Sequence, residues 1–488
     1  MKKIDSLSEI LQSILDENPK ENLLLNDYFR LPKENQEFLE RYKGAHWKLP
    51  QILGRLTIQV PSFMIYTIIN LLLSIFYIKQ NQKFRQNITK TNELFISHAT
   101  TSNAESNTDV YYENIPNKFL ENNKHVTILY LNHNKSEYSK ILKKLISKNN
   151  SNTTLLMPKF MELVDYVRYI RFIAIAIVDR VKLSRKYRRY DNLKSRIILH
   201  SILWLMKRET YSNYHLLLKC NLIQCNSTID NIFLTLEGHG YEEEIIKQTS
   251  KKHPRTVIWL RQHSPISLAQ IGVFNILKSI KKPVYVLTTG PAYSTLLNKY
   301  SINVRSFVIG TSKSKAKYKS PKTGFGVLVA PEGTEKSTLD FLNFIHNLNE
   351  NFNKVNFIFR IHPNLIANRK IKKQIRKNLS KDNFRLSFES LDRDLIQTCV
   401  TLYRGSAVAI ESLSFNNLPI YLNFDDNLNL NVFSIIETDF PILSDISDHS
   451  SFLRLLDNVN SASINPNIYT QLFESLDTIS ISAFISKN

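Results

Sequence analysis

The sequence predicts an α/β protein of two doubly wound domains facing a cleft, preceded by a helical N-terminal extension. Three observations carry this expectation. The chain has 488 residues, more than one compact domain usually holds. From residue 126 onward, short β-branched or aromatic runs alternate with helix-length stretches, the pattern of parallel sheets covered by helices. A stretch rich in Lys and Ser and without apolar period, Thr311–Lys322, divides that series in two.

In the first half the expected strands are Val126–Leu131, Thr154–Met157, Asn231–Leu236, Thr256–Leu260, Pro283–Thr288 and Val304–Ile309. Helix-length segments lie between them, notably Glu242–Ser250 and Pro291–Lys299. In the second half, Phe325–Ala330, Val355–Ile361, Phe384–Phe388, Val400–Tyr403 and Pro419–Leu422 read as strands. The helices between them are Ser337–Leu348, Leu365–Lys377 and Ser406–Ser414. The division is therefore a helical N-terminal region over 1–120, an α/β domain over 121–310, a linker over 311–324, an α/β domain over 325–445 and terminal helices over 446–488. The terminal helices, Ser447–Asn460 and Asn467–Phe484, are expected to pack back across the hinge. Facing strand C-termini in such an arrangement form a ligand-binding crevice.

Composition excludes several classes. Apolar residues make up 43% and charged residues 22%, which sets aside disordered, collagen-like and coiled-coil chains. Lys and Arg number 64 against 43 Asp and Glu, a net charge of +21 that favours anionic partners. Nucleic acid is disfavoured among them, because the basic residues are spread out and no RRM, KH or zinc-finger pattern occurs. Three cysteines without a CxxC pair support neither a disulfide framework nor a thiolate zinc site and suit a reducing cytoplasm. Acidic and polar residues interrupt the N-terminus, so no signal-peptide core forms there.

One early segment raises a membrane question. No charge occurs from Leu56 to Ile78, a stretch long enough as a helix to cross a bilayer. Gln59, Ser62, Thr67, Asn70 and Ser74 nevertheless recur at helical spacing along one side, with apolar residues over the rest. A single span at 56–78, a membrane-surface helix and a helix buried in the protein all stay open. Basic residues on both flanks suit an anionic inner leaflet. A second stretch, Tyr166–Tyr190, mixes apolar residues with many Arg and Lys and reads equally as a solvated face or a lipid contact.

Four constellations can carry chemistry. In Tyr403-Arg404-Gly405-Ser406-Ala407-Val408-Ala409-Ile410-Glu411 a strand passes through a tight turn into a helix. Gly405 and Ser406 at that turn suit a phosphate, with Glu411 further along the helix, although Ser406 can equally be an N-cap. In Arg360-Ile361-His362-Pro363 a strand ends on an imidazole able to meet a phosphate or protonate a leaving group, with Arg360 adding charge nearby. Leu236-Glu237-Gly238-His239 places a carboxylate and an imidazole directly after a strand, where Glu237 is the candidate base, or else a cap of the next helix. Gln262-His263 and Thr289-Gly290 follow the next two strands and are candidates for an acceptor pocket. Glu332 is a weaker rival for the base, and Asp392-Arg393-Asp394 reads as helix capping and not as a metal motif. His46, His98 and His133 have no ligand-spaced partner in sequence, so no metal is assigned.

Together these motifs resemble bacterial surface-carbohydrate biosynthesis glycosyltransferases of the GT-B class, built from two Rossmann-type domains, over approximately residues 230 to 425. The His-Pro and the later serine are similar to those of sialyltransferase-type and Kdo-type transferases. The resemblance implies a metal-independent, inverting transferase with no cofactor beyond a nucleotide-sugar donor and no covalent intermediate, in which His362, Gly405 and Ser406 hold the donor phosphate and Glu411 its ribose. It implies Glu237 as base beside His239, a glycan or lipid-linked glycan as acceptor, and work at the cytoplasmic face of the inner membrane in capsule, O-antigen or lipopolysaccharide synthesis. A CMP-activated nonulosonic acid or Kdo is the expected donor class. This chain departs from the family pattern in lacking a second glycine at the turn, a second serine at Ala407, and the first acid of the acidic pair before Gly238. A nucleotide-sugar 2-epimerase, a polyol-phosphate polymer transferase and a non-catalytic envelope-assembly scaffold are the alternative readings.

Overall fold

The structure is a computed structural model that describes residues 49–86, 91–99, 108–122, 124–131, 154–189, 192–206, 208–226, 228–268, 270–314, 326–348, 355–362, 365, 368–378, 383–423, 429–443, 449–457 and 465–476. Most of the expected linker, Pro363, His46 and His133 lie outside the described residues.

Thirteen strands among the described residues form two sheets, and every pairing is parallel. The first holds β1 (Glu93–His98), β2 (Val126–Leu131), β3 (Thr154–Leu156), β4 (Asn231–Thr235), β5 (Val257–Arg261), β6 (Val284–Thr288) and β7 (Val304–Val308) in the order β3-β2-β1-β4-β5-β6-β7. The second holds β8 (Gly326–Ala330), β9 (Asn356–Phe359), β10 (Phe384–Leu386), β11 (Val400–Tyr403), β12 (Leu418–Leu422) and β13 (Ile442–Leu443) in the order β10-β9-β8-β11-β12-β13. Each chain of strands starts in the middle, runs to one edge, returns and runs to the other, so each domain is doubly wound.

Burial on both faces explains the continuous apolar character of these strands. In the first sheet Leu94, Ile96, Ile232 and Leu234 face one core, while Phe95, Phe233, Trp259 and Leu287 alternate with them toward another. The Phe95 and Phe233 rings stack with centroids 4.1 Å apart, tying β1 to its neighbour β4. In the second sheet Val327, Val329, Phe357, Phe359 and Leu402 face one core, and Leu328 and Ile358 the opposite one.

One expectation needs correction. The region over 1–120 is not helical throughout: β1 lies within it, as an interior strand of the first sheet, so that domain begins well before residue 121. Its sequence, Glu-Leu-Phe-Ile-Ser-His, has polar residues at both ends and hides a strand whose six residues are all buried. The burial of Glu93, Ser97 and His98 is set by tertiary contacts that periodicity does not report.

The C-terminal segment crosses between the domains. Its helix Pro466–Leu472 touches both the helix Pro291–Tyr300 and the helix Val408–Leu413. Beyond it the Glu474 amide donates to the Thr289 carbonyl at 2.8 Å, and Thr311 bridges to Ser475. Tyr403, Ala409 and Ile410 of the second domain thereby join the same apolar cluster as Tyr293 and Leu297 of the first.

Candidate active site

Strand order decides where side chains can converge. It reverses between β1 and β4 in the first sheet and between β8 and β11 in the second. Helices leave to opposite faces at such a point, opening a crevice at the carboxyl ends of the two strands. His98 is the last residue of β1, and Glu237 and His239 follow β4. Glu332 follows β8, and Arg404-Gly405 follow β11.

At the first crevice Glu237 is surrounded by imidazoles. His239 Nε2 lies 2.6 Å from Glu237 Oε2, and His263 Nε2 lies 3.1 Å from Oε1. His98 Nε2 stands 4.0 Å from Oε2 and 3.3 Å from the Tyr241 hydroxyl. The Tyr111 ring meets His263 edge-on with centroids 4.7 Å apart and tilts against His98 at 5.0 Å. Glu237 keeps 23% of its side chain exposed, so the carboxylate is held and still reachable from outside. Burial alone would raise its pKa, but the hydrogen bonds from His239 and His263 outweigh that and hold it well below the usual carboxylate range. Glu237 is therefore ionised at neutral pH.

The turn that aims Glu237 is built by its neighbours. Gly238 has φ +87°, and a Cβ there would sit 2.8 Å from the Val273 nitrogen, so only glycine fits. The carboxylate of Glu242, in the first turn of the helix Gly240–Lys252, accepts from the amides of Gly238 and His239, each at 2.9 Å, and from the Thr235 hydroxyl at 2.9 Å. Glu242 thus satisfies the amides at this helix start, leaving Glu237 free of the capping role that its position also suggested. Burial raises the Glu242 pKa to about 8, with the Glu237 charge adding to the effect.

His98 also changes the metal question. Isolated in sequence, it stands in space beside Glu237 and His239, and the three offer ligand atoms within 4.8 Å of one another. They are the residues that could hold a divalent cation. In the geometry observed, the 2.6 Å contact of His239 with Glu237 is a hydrogen bond. Two ligands of one zinc-like ion at about 2 Å would normally stand roughly 3 Å apart, so a cation would have to displace that proton. The arrangement as it stands is suited to moving a proton, with Glu237 positioned as acceptor by two imidazoles.

The acceptor-side candidates divide. His263 belongs to the cluster. Gln262, Thr289 and Gly290 are buried beneath the C-terminal segment: Gln262 Oε1 accepts from the Thr289 amide at 2.8 Å, and the Thr289 hydroxyl donates to the Leu472 carbonyl at 2.9 Å. A Cβ on Gly290 would lie 2.5 Å from the Leu472 carbonyl group. The structure places these three in docking that segment and not on an open edge. Arg261 is likewise structural, donating to the Gly310 carbonyl at 2.8 Å and lying 3.5 Å from Glu113.

The second crevice has a different character. Arg404 Nη1 lies 2.9 Å from Glu332 Oε1, which also accepts from the Thr334 hydroxyl at 3.0 Å, so this carboxylate is committed to a buried ion pair. Gly405 has φ +63°, is exposed, and would bring a Cβ to 2.7 Å from Glu332 Oε2. His362 packs over Gly333, whose Cβ would come within 3.0 Å of its Nδ1, and burial lowers its pKa. Ser406 is half-buried, its hydroxyl 3.4 Å from the Val408 amide, and Glu411 lies within the short helix Val408–Leu413. Arg360 is drawn elsewhere: its Nη1 meets Asp394 at 2.8 Å and the Glu389 carbonyl at 2.9 Å. Asp394 also accepts from Ser387 at 2.5 Å, a buried role beyond the capping expected of it.

Sequence reasoning missed His98, Tyr111 and Glu242. Only Glu242 had a local signal, its position three residues after His239 at a helix start.

No protein-family model matches the chain, and no curated protein matches its sequence. Solved structures do resemble it in arrangement. The UDP-GlcNAc 2-epimerase of Methanocaldococcus jannaschii in complex with UDP-GlcNAc and UDP is 11% identical, with a TM-score of 0.49, over 81% of this chain and 100% of that one. The UDP-GlcNAc 2-epimerase of Neisseria meningitidis bound to UDP-GlcNAc is 9% identical, with a TM-score of 0.47, over 81% and 98%. The glycotransferase of kitacinnamycin is 10% identical, with a TM-score of 0.45, over 82% and 99%.

Proposed function

We propose that this protein is an inverting glycosyltransferase that moves a sugar from a nucleotide-sugar to a glycan or lipid-linked glycan acceptor in bacterial surface-polysaccharide synthesis. The observation that carries the reading is the Glu237 carboxylate, ionised, partly exposed and clamped by His239 and His263 at a strand-order reversal. In this reading the acceptor hydroxyl gives its proton to Glu237 as its oxygen attacks the anomeric carbon. The bond from that carbon to the donor phosphate breaks, and the phosphate departs with the electron pair. His239 and His263 hold the carboxylate in line, and holding both substrates together supplies much of the rate gain. On the second domain the exposed Gly405 turn, Ser406 and His362 receive the donor phosphate, and Glu411 its ribose. The donor favoured is a CMP-activated nonulosonic acid or Kdo, no metal takes part in the transfer, and the place of work is the cytoplasmic side of the inner membrane.

Ligand-induced thermal shifts with CMP, CDP, UDP and GDP test the donor side. A shift with CMP that is lost in Ser406→Ala and His362→Ala supports the reading. No shift with any nucleotide overturns it in favour of a scaffold. A UDP shift with interconversion of a UDP-sugar at C2 overturns it in favour of an epimerase, which shares the strand ending in His362-Pro363-Asn364.

A further inference from the structure

The helix Leu49–Phe76 is inside out. A surface helix in water turns its apolar stripe to the protein and its polar side to solvent. Here Phe63, Thr67, Asn70 and Ser74, spaced four, three and four residues apart, are the buried stripe. Their apolar neighbours face outward: Ile58 is 70% exposed, Ile65 58%, Leu72 54% and Phe76 81%. The inward side is anchored. Phe63 packs against Tyr169 with ring centroids 6.1 Å apart. In the following helix, Ile78–Gln86, Asn81 donates to the Phe160 carbonyl at 3.2 Å and accepts from Lys219 at 3.0 Å.

The helix Leu163–Tyr187, to which Tyr169 belongs, buries a largely apolar side that includes Tyr166, Tyr169 and Ile173, and yet also turns apolar residues outward. Leu163, Val167, Ile170 and Val178 form an exposed apolar stripe at helical spacing. Exposed Arg171 and Lys182 border it, with Asp179 as the exposed acid on the same helix. Exposed Lys79 and Lys83 stand just beyond the end of the first helix. The exposed large apolar side chains elsewhere in the described residues are scattered singly. Two touching helices therefore carry most of the exposed large apolar side chains among the described residues, and basic residues border them.

We infer that these two helices form a monotopic docking face that lies in the interface of an anionic bilayer. The basic border is the argument for that occupant, since it complements anionic headgroups while the apolar stripes enter the acyl boundary. Among the described residues this first helix is the one long and apolar enough to cross a membrane. It does not cross, because one side is committed to the protein, and a span would detach Thr67, Asn70 and Ser74 into hydrocarbon. The inference is independent of the reaction the active site performs.

Flotation of the full chain with phosphatidylcholine vesicles, and with vesicles that also contain phosphatidylglycerol, tests it. Binding is expected with the anionic vesicles and reduced by high salt. Ile65→Glu together with Leu72→Glu is expected to lower it by about tenfold or more, as is Val167→Glu with Ile170→Glu. Unchanged binding in both double variants overturns the inference, as does a stable dimer that binds neither vesicle. If a double variant fails to fold, depth quenching of labels at Ile58→Cys and Phe76→Cys, made in a Cys225→Ser background, still decides. Equal shallow depths support the docking face, and labels at opposite faces of the bilayer overturn it.

Discussion

The two strand-order reversals use carboxylates in opposite ways. At the first, Glu237 is ringed by His98, His239 and His263 and remains partly exposed, with partners that can all exchange protons. At the second, Glu332 is buried against Arg404, whose charge is permanent, and the groups left toward the outside are the Gly405 turn and Ser406. The same topology thus places a carboxylate among titratable imidazoles at one edge and a carboxylate paired with a guanidinium beside a glycine turn at the other. The lesson is that position at the carboxyl end of a strand does not assign a role; the partners of each side chain do.

Substitutions that remove one edge at a time test this contrast. The largest effect is expected for Glu237→Gln, which should lower turnover by about 10²–10⁴ while nucleotide affinity stays within a factor of about two. Measured kcat and Kd check it, and undiminished kcat would remove the proton-handling role. Next is stability: Glu332→Ala leaves Arg404 buried without its carboxylate and should cost about 3–5 kcal/mol in urea unfolding. A cost below about 1 kcal/mol would show that this edge is not rigidly locked.

Smaller effects sharpen the comparison. Ser406→Ala or His362→Ala should each weaken nucleotide binding by about tenfold, seen by calorimetry, without altering unfolding. The pH dependence of stability should carry the mark of Glu242. Its pKa in the folded state, about 8, lies above its ordinary value of 4.5. The folded protein therefore binds the extra proton between those values. Its contribution to stability is full in acid, below the unfolded pKa, and is lost as pH rises toward and through 8. Glu242→Gln should flatten that fall, as measured by unfolding midpoints across the range. Last, exhaustive chelation should leave turnover unchanged; a loss restored by a divalent cation would convert the His98, Glu237 and His239 cluster into a cation site.

Much of the architecture was legible because burial leaves a local trace. The strand ranges Val126–Leu131 and Val400–Tyr403 are those read from the sequence, and the other expected strands lie within a few residues of those observed. Strands buried on both faces are compact apolar runs between turn residues, and that pattern needs no knowledge of the fold. β1 escaped because its polar ends are buried through partners distant in sequence, among them Asp109, which accepts from Ser97 at 2.6 Å.

By itself the sequence determined the alternation of strand and helix, the placing of Glu237, His263, His362 and Gly405 after strands, and the amphipathic character of the first helix. These are properties of neighbours along the chain, where spacing alone fixes which residues share a face or a turn. Only the tertiary structure decided that His98 joins Glu237 and that Glu332 is taken by Arg404. It also decided that Gln262, Thr289 and Gly290 lie under the C-terminal segment, and that the polar side of the first helix faces inward. Each of these depends on contacts between residues far apart in sequence, whose pairing follows from strand order and packing and leaves no mark in the spacing of residues.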